Sequence, residues 1–210
     1  MSILYIDKSD CVIGKQDNRI TVKYKDGMVR TIPVESIDGI TLLGHAQVTT
    51  QCIQECLKKG ISLSYFSKGG HYFGRLSSTG HIKASLQRKQ AGLYDQPFAL
   101  ELSKKIIYAK IHNQIVVLRR YSKSTNHNIS DIELHMKSAL RKVNYVKSIE
   151  ELMGYEGSAA KYYFKGLSIC IDDAFKFEGR SKRPPRDAFN SMLSLGYSIL
   201  MNELYGEIEI

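Results

Sequence analysis

Over the first 80 residues the apolar positions come in short runs of β type, and after about residue 80 their spacing lengthens from two to 3.6. The runs Ile3–Ile6, Cys11–Gly14, Arg19–Tyr24, Met28–Ile32 and Gly39–Leu43 are separated by turn residues and predict strands. Lys25-Asp26-Gly27 between two of them is a hairpin signal, because Asp-Gly tolerates positive φ. A short helix is expected from about Thr50 to Lys59, ended by Gly60. A further strand pair follows at Ile61–Phe66 and His71–Leu76, around Lys68-Gly69-Gly70.

The helical part opens with 97–121, where Leu102, Ile106 and Ala109 make one apolar row and Ile107, Ile111, Ile115 and Leu118 another. A second helix is expected over Ile129–Tyr145. A third opens at Ser148-Ile149-Glu150-Glu151, a capping box in which serine and glutamate satisfy each other's amides, and runs to about Asp172. A fourth follows Pro184-Pro185, since proline is tolerated in a first helical turn, and reaches about Tyr205. The chain therefore reads as α+β, with a small β-rich domain over residues 1–80 and an all-helical domain over 81–210.

Composition narrows the function classes. The chain has 210 residues, 43% of them hydrophobic, with 13 Tyr and 7 Phe, which excludes disorder. No apolar run approaches the ~20 residues of a membrane-spanning helix, so no membrane association is expected. Asp7 comes too early for a signal peptide, and a cytoplasmic location follows as the expectation. Cys11, Cys52, Cys56 and Cys170 form no zinc pattern and read as buried reduced thiols. His45, His71, His81, His112, His127 and His135 form no metal-binding spacing, and none lies after His135. The formal net charge of +9 favours a polyanionic partner, usually nucleic acid.

Two segments carry candidate chemistry. On a helix, Glu156 shares a face with Leu152, Ala159, Ala160 and Tyr163, and no lysine or arginine lies three or four residues away. A carboxylate on such a face needs a distant metal or cation if it is buried; otherwise it points to solvent. The second segment, 176–186, holds Lys176, Arg180, Lys182, Arg183 and Arg186 against Glu178 alone, and leads into a helix start. Exposed amides, the helix dipole and arginine forks all favour phosphate there, against the plainer reading of a solvated basic loop. In the helix that follows, Phe189, Leu193, Gly196, Leu200 and Leu204 form an apolar row. Asn190, Ser194 and Tyr197 form a polar row, which either lines a site or is an exposed stripe.

Around these segments the sequence resembles CRISPR-associated protein one, the metal-dependent endonuclease and integrase of spacer acquisition. Gly154-Tyr155-Glu156-Gly157 with Ala160, Tyr163 and Phe164 is similar to the family's first metal-binding motif. Phe177, Gly179-Arg180, Arg183-Pro184-Pro185, Asp187, Asn190, Leu193-Ser194 and Gly196-Tyr197 are similar to its next signature. Gly60-Ile61 and Gly74-Arg75-Leu76 resemble the end of its N-terminal domain.

The resemblance implies an enzyme that inserts spacer DNA into the CRISPR array, with a divalent ion, Mg²⁺ or Mn²⁺, held by a glutamate, a histidine and an aspartate. Glu156 is then the catalytic metal ligand. Tyr163 and Asn190 are second-shell or substrate-positioning residues, and Arg180, Lys182, Arg183 and Arg186 are DNA-binding. The histidine and aspartate motifs lie in a continuation that this sequence does not contain, so the helical domain is expected to be incomplete. The implied partners are branched or duplex DNA with spacer and repeat ends, a second copy of the chain through the β-rich domain, and a small ferredoxin-like CRISPR-associated protein. The alternative is a non-catalytic DNA-binding and dimerisation scaffold in which Glu156 belongs to a structural ion pair.

Overall fold

A computed structural model describes residues 2–81 and 83–209. By their contacts these fall into two compact units. One runs up to Ala84 and also takes in the stretch from Leu193; the other is Ser85–Met192. The architecture is the expected α+β one, strands first and helices after.

The first unit contains two four-stranded sheets. Strands β1 (Ile3–Ile6), β5 (Gly39–Leu43), β7 (Ser62–Phe66) and β8 (Tyr72–Leu76) form one, in that spatial order. Strands β4 (Val29–Pro33), β3 (Arg19–Lys23), β2 (Val12–Gln16) and β6 (Gln47–Val48) form the other. β2, β3 and β4 make an antiparallel meander, and β1, β5 and β7 run parallel. Their shared core holds Ile13, Ile20, Val22, Ile40, Leu42 and Leu63, all at most 1% exposed. Helix α1 (Thr50–Lys59) contributes Cys52 and Cys56 to it. Thr49 caps its start by accepting from the Cys52 amide, and Gly60 ends it at φ 73°, in the left-handed region. Gly39 pairs with Ile3, and a Cβ there would stand 2.9 Å from Ile3 Cδ1, so a side chain would displace the end of the Ile3 side chain.

In the second unit, α3 (Pro97–Thr125), α4 (Ser130–Val143) and α5 (Ile149–Cys170) pack around Ile111, Ile115, Leu118, Ile132, Met136, Leu152, Ala159 and Leu167. The Leu118 and Ile132 side chains pack onto the α5 backbone at Gly166, where a Cβ would lie 3.0 Å from Leu118 Cδ1 and 3.3 Å from Ile132 Cγ2. The capping box is present: Ser148 Oγ accepts from the Glu151 amide, and the Glu151 carboxylate accepts from the Lys147 amide, one residue before the expected partner.

Helix α2 (Ala84–Gly92) was not expected; it buries no residue, so no apolar stripe marks it in the sequence. Of the two apolar rows foreseen on α3, only the one through Ile111, Ile115 and Leu118 is core, while Leu102 and Ile106 are exposed. The last helix, α6, follows the proline pair as expected and starts at Ala188, with neither proline in its first turn. Asp187 sets that start, because its Oδ1 accepts from the Asn190 amide at 2.7 Å, which is N-cap geometry. α6 reaches Glu209, and from Leu193 it belongs to the first unit. There the expected inward row is reversed, with Leu200 and Leu204 exposed. Asn202 is buried instead, exchanging hydrogen bonds with Ser64 of β7 and accepting at its carbonyl from Arg75 of β8. The half-buried Leu195 and Ile199 share the face of Asn202, so apolar packing and hydrogen bonding to the sheet act on the same side of this helix.

Candidate functional site

Glu156 lies in the middle of α5, one turn beyond the buried Leu152 and one turn before the buried Ala159 and the half-buried Ala160. The small, partly buried face read from the sequence is therefore real, and 16% of the glutamate side chain is exposed. Its carboxylate is neutralised from another helix, since Lys110 Nζ of α3 donates to Glu156 Oε1. Lys110 sits one residue before Ile111 in the row that packs α3 against α5, so that packing brings the ammonium to the carboxylate. Of the readings left open for a carboxylate with no local cation, the distant cation is the one observed, and it is a lysine.

Tyr163, two turns further along α5, is half-buried and meets Phe164 edge-on at 5.2 Å. Phe164 leads in turn to Phe177, which stacks on Phe189 with ring centroids 4.4 Å apart. Phe177 is 5% exposed and belongs to the helical core. Its carbonyl accepts from Ser168 Oγ. Both ends of the basic loop are thereby anchored, by Phe177 at its entry and Phe189 at its exit.

Within the loop the four expected DNA-binding cations separate. Lys182, Arg183 and Arg186 are exposed. Arg180 is half-buried and turns inward, donating from Nη1 to the Ser181 carbonyl at 2.5 Å and to Asn190 Oδ1 at 2.9 Å. Asn190 is fully buried. Its Oδ1 also accepts from the Ser181 amide at 3.1 Å, and its Nδ2 donates to the Gly179 carbonyl at 2.9 Å and to Asp187 Oδ2 at 2.7 Å. Both acceptor positions and both donor hydrogens of the side-chain amide are in use. Two donors face its oxygen and two acceptors face its nitrogen, so only one orientation of the group satisfies them. The Arg186 amide donates to Ser181 Oγ at 3.0 Å, closing the outer part of the loop.

Two expectations change accordingly. The polar row on α6 is neither a site wall nor a solvent stripe, because Asn190 is buried inside the loop while Tyr197 is 46% exposed. The helix-start route to anion binding is taken at the Asn190 amide by the protein's own Asp187. What the loop offers outward is its side-chain cations. Lys110 could not be read from a sequence in which 46 residues separate it from its partner. Asp187 could have been, since an aspartate three residues before a polar helical residue is a capping signal.

A divalent ion held by protein takes several hard ligands. Among the described residues no group of three or more His, Cys, Asp or Glu side chains comes together. Glu156, facing an ammonium, contributes one carboxylate. The residues described do not amount to a metal centre. All four cysteines are buried free thiols, with burial pushing Cys11 upward from its ordinary pKa. No described helix is long and apolar enough to cross a membrane.

A β-rich unit built of two mixed sheets, joined to a helix cluster that displays an interhelical glutamate and a cationic loop, defines a particular kind of α+β protein. The chain belongs to the CRISPR associated protein Cas1 family, which matches residues 4–210. It is 40% identical over 207 residues to a CRISPR-associated endonuclease Cas1 of Mycobacterium tuberculosis, covering 98% of this chain and 61% of that protein. A solved chain described as a Cas6-RT-Cas1--Cas2 complex is similar with a TM-score of 0.78 and 26% identity, over 98% of this chain and 23% of that one. A CAS1 protein from Thermotoga maritima shares the fold, with a TM-score of 0.79 and 23% identity, over 100% of this chain and 65% of that one. The chain thus spans about three fifths of the length of the curated relative, 61%.

Proposed function

We propose that this chain is part of a metal-dependent DNA endonuclease and integrase that inserts spacer DNA into a CRISPR array in the cytoplasm. Glu156 supplies one carboxylate to a Mg²⁺ or Mn²⁺ site whose histidine and aspartate ligands come from outside the chain. Lys182, Arg183 and Arg186 contact backbone phosphates, while Arg180 shapes the loop that carries them. Tyr163 serves the glutamate's surroundings. The β-rich domain meets a second copy of the chain, and a small ferredoxin-like protein joins the assembly, in keeping with the Cas2 named in the solved Cas6-RT-Cas1--Cas2 complex.

The observation that carries this reading is the cationic loop, in a chain of the Cas1 family: its core is internally hydrogen-bonded and three cations face outward. Arginine and lysine contacts to phosphate displace counterions, so affinity for branched or duplex DNA should fall steeply between about 50 and 200 mM salt, read by fluorescence anisotropy. Affinity unchanged across that range would overturn the reading.

The Lys110–Glu156 pair favours a second reading, the DNA-binding and dimerisation scaffold with a purely structural glutamate. Mn²⁺-dependent cleavage by the protein that carries this chain separates the two. Loss of cleavage in Glu156→Ala supports the ligand role, and undiminished cleavage supports the scaffold.

A further inference from the structure

We propose that Asn190 is a positioning residue for DNA binding: it makes no contact with DNA itself but holds the 179–187 loop in the one shape that sets Lys182, Arg183 and Arg186 side by side toward a phosphate backbone. The inference rests on the DNA-binding reading of the loop. Its basis is an asymmetry within twelve consecutive positions, 179–190. Asn190 is fully buried and hydrogen-bonded at every side-chain position, to Gly179, Arg180, Ser181 and Asp187, whereas the three cations between Ser181 and Asp187 face solvent. One amide group therefore joins the two ends of the cationic segment.

Arg180 and Asp187 are recruited to the same task. Each is a charged side chain hydrogen-bonded to Asn190, and the two sit on opposite sides of its amide. Ser181 Oγ, accepting from the Arg186 amide, closes the outer ring. A flexible loop with three long cationic side chains would have to be ordered when it met DNA, and that ordering weakens binding. A loop already ordered by Asn190 meets the phosphates without that loss. With every amide position occupied, the group has nothing left to offer a substrate, which separates this role from direct contact.

The test is the affinity of the chain for a fluorescein-labelled DNA duplex, measured by anisotropy across a salt series. The slope of log affinity against log salt counts phosphate contacts, at about 0.9 for each. Arg183→Ala should lower that slope by about 0.9, because a contact is removed. Asn190→Ala should weaken binding about tenfold at every salt concentration and leave the slope at the wild-type value, because the contacts remain and only their ordering is lost. In the same variant, trypsin should cut more rapidly after Lys182 and Arg186. If Asn190→Ala does not fold by circular dichroism, Ser181→Ala, which removes only the bond to the Arg186 amide, should show the same pattern with a smaller loss.

Binding within twofold of wild type in a folded variant whose loop trypsin shows to be loosened would overturn the positioning role while leaving the DNA reading intact. A slope that drops in Asn190→Ala as it does in Arg183→Ala would also overturn it, since Asn190 would then act with the contacts themselves. If single alanine substitutions at Lys182, Arg183 and Arg186 all leave affinity and slope unchanged, the DNA reading of the loop fails and the positioning role fails with it.

Discussion

The basic loop and the glutamate face lie in the same helical unit, yet their polar groups are arranged in opposite ways. In the loop, Asn190, Asp187, Arg180 and Ser181 satisfy one another, and the cations left outside are free to meet a ligand. On α5, Glu156 meets an ammonium from a neighbouring helix, and that lysine side chain is 42% exposed. The first arrangement is a finished scaffold presenting charge. The second is a charge held by a partner that solvent can reach, and so one that can be exchanged. A third carboxylate differs from Glu156 in having two partners, each about as exposed as Lys110. Glu133 of α4 accepts from Arg119 of α3 and pairs with Lys137 one turn along its own helix. The Arg119 and Lys137 hydrogen bonds hold its carboxyl well below the ordinary carboxylate range, at about 2.

This contrast can be broken in several places. The largest effect is expected at the core beneath the glutamate: Leu152→Ala removes a side chain that is 1% exposed, one turn from Glu156, and should cost about 2–5 kcal/mol in urea denaturation. A loss under about 1 kcal/mol would mean that the face is not positioned by packing.

The Lys110–Glu156 pair should matter far less. A double-mutant cycle with Lys110→Met and Glu156→Gln should give a coupling of about 0.2–1 kcal/mol that shrinks with added salt, as expected of a pair with one solvent-accessible partner. A larger, salt-independent coupling would show that solvent does not reach the pair.

Smallest is the acid response. Glu133 has a depressed pKa in the folded chain, so its contribution is present above the unfolded value near 4.5 and is lost as pH falls toward about 2. Glu133→Gln should flatten the decline of melting temperature across that window. An unchanged decline would show that the ion pairs with Arg119 and Lys137 are not formed in solution.

Much of this was legible along the chain, for local reasons. The strand runs, the Asp26-Gly27 hairpin, Gly60 at the end of α1 and Ser148 before α5 depend on a few neighbouring residues, whose backbone preferences act over the same distance as the pattern that reveals them. The buried row of α3 follows from periodicity, as does the small face around Glu156. The segment 176–186 announced its charge by composition alone. The proline pair marked the approach to α6 but not its first residue, because prolines fit a turn as well as a helix start, and Asp187 fixed that residue by capping the Asn190 amide.

The amino-acid sequence by itself determined most of the segments that become strands and helices, though not α2 or β6, that the charge is positive, and where the cations and the isolated glutamate lie. Only the tertiary structure decided what those charges meet. Parallel pairing of β5 with β1 and β7, Asn202 of α6 bonding to Ser64, and Lys110 facing Glu156 all join residues far apart in the chain, through contacts that exist only once the elements pack. Packing likewise turned Arg180 inward while Lys182, Arg183 and Arg186 stayed outside. Four cations that look alike in sequence differ by a single buried amide, which has room to accept a hydrogen bond from one of them.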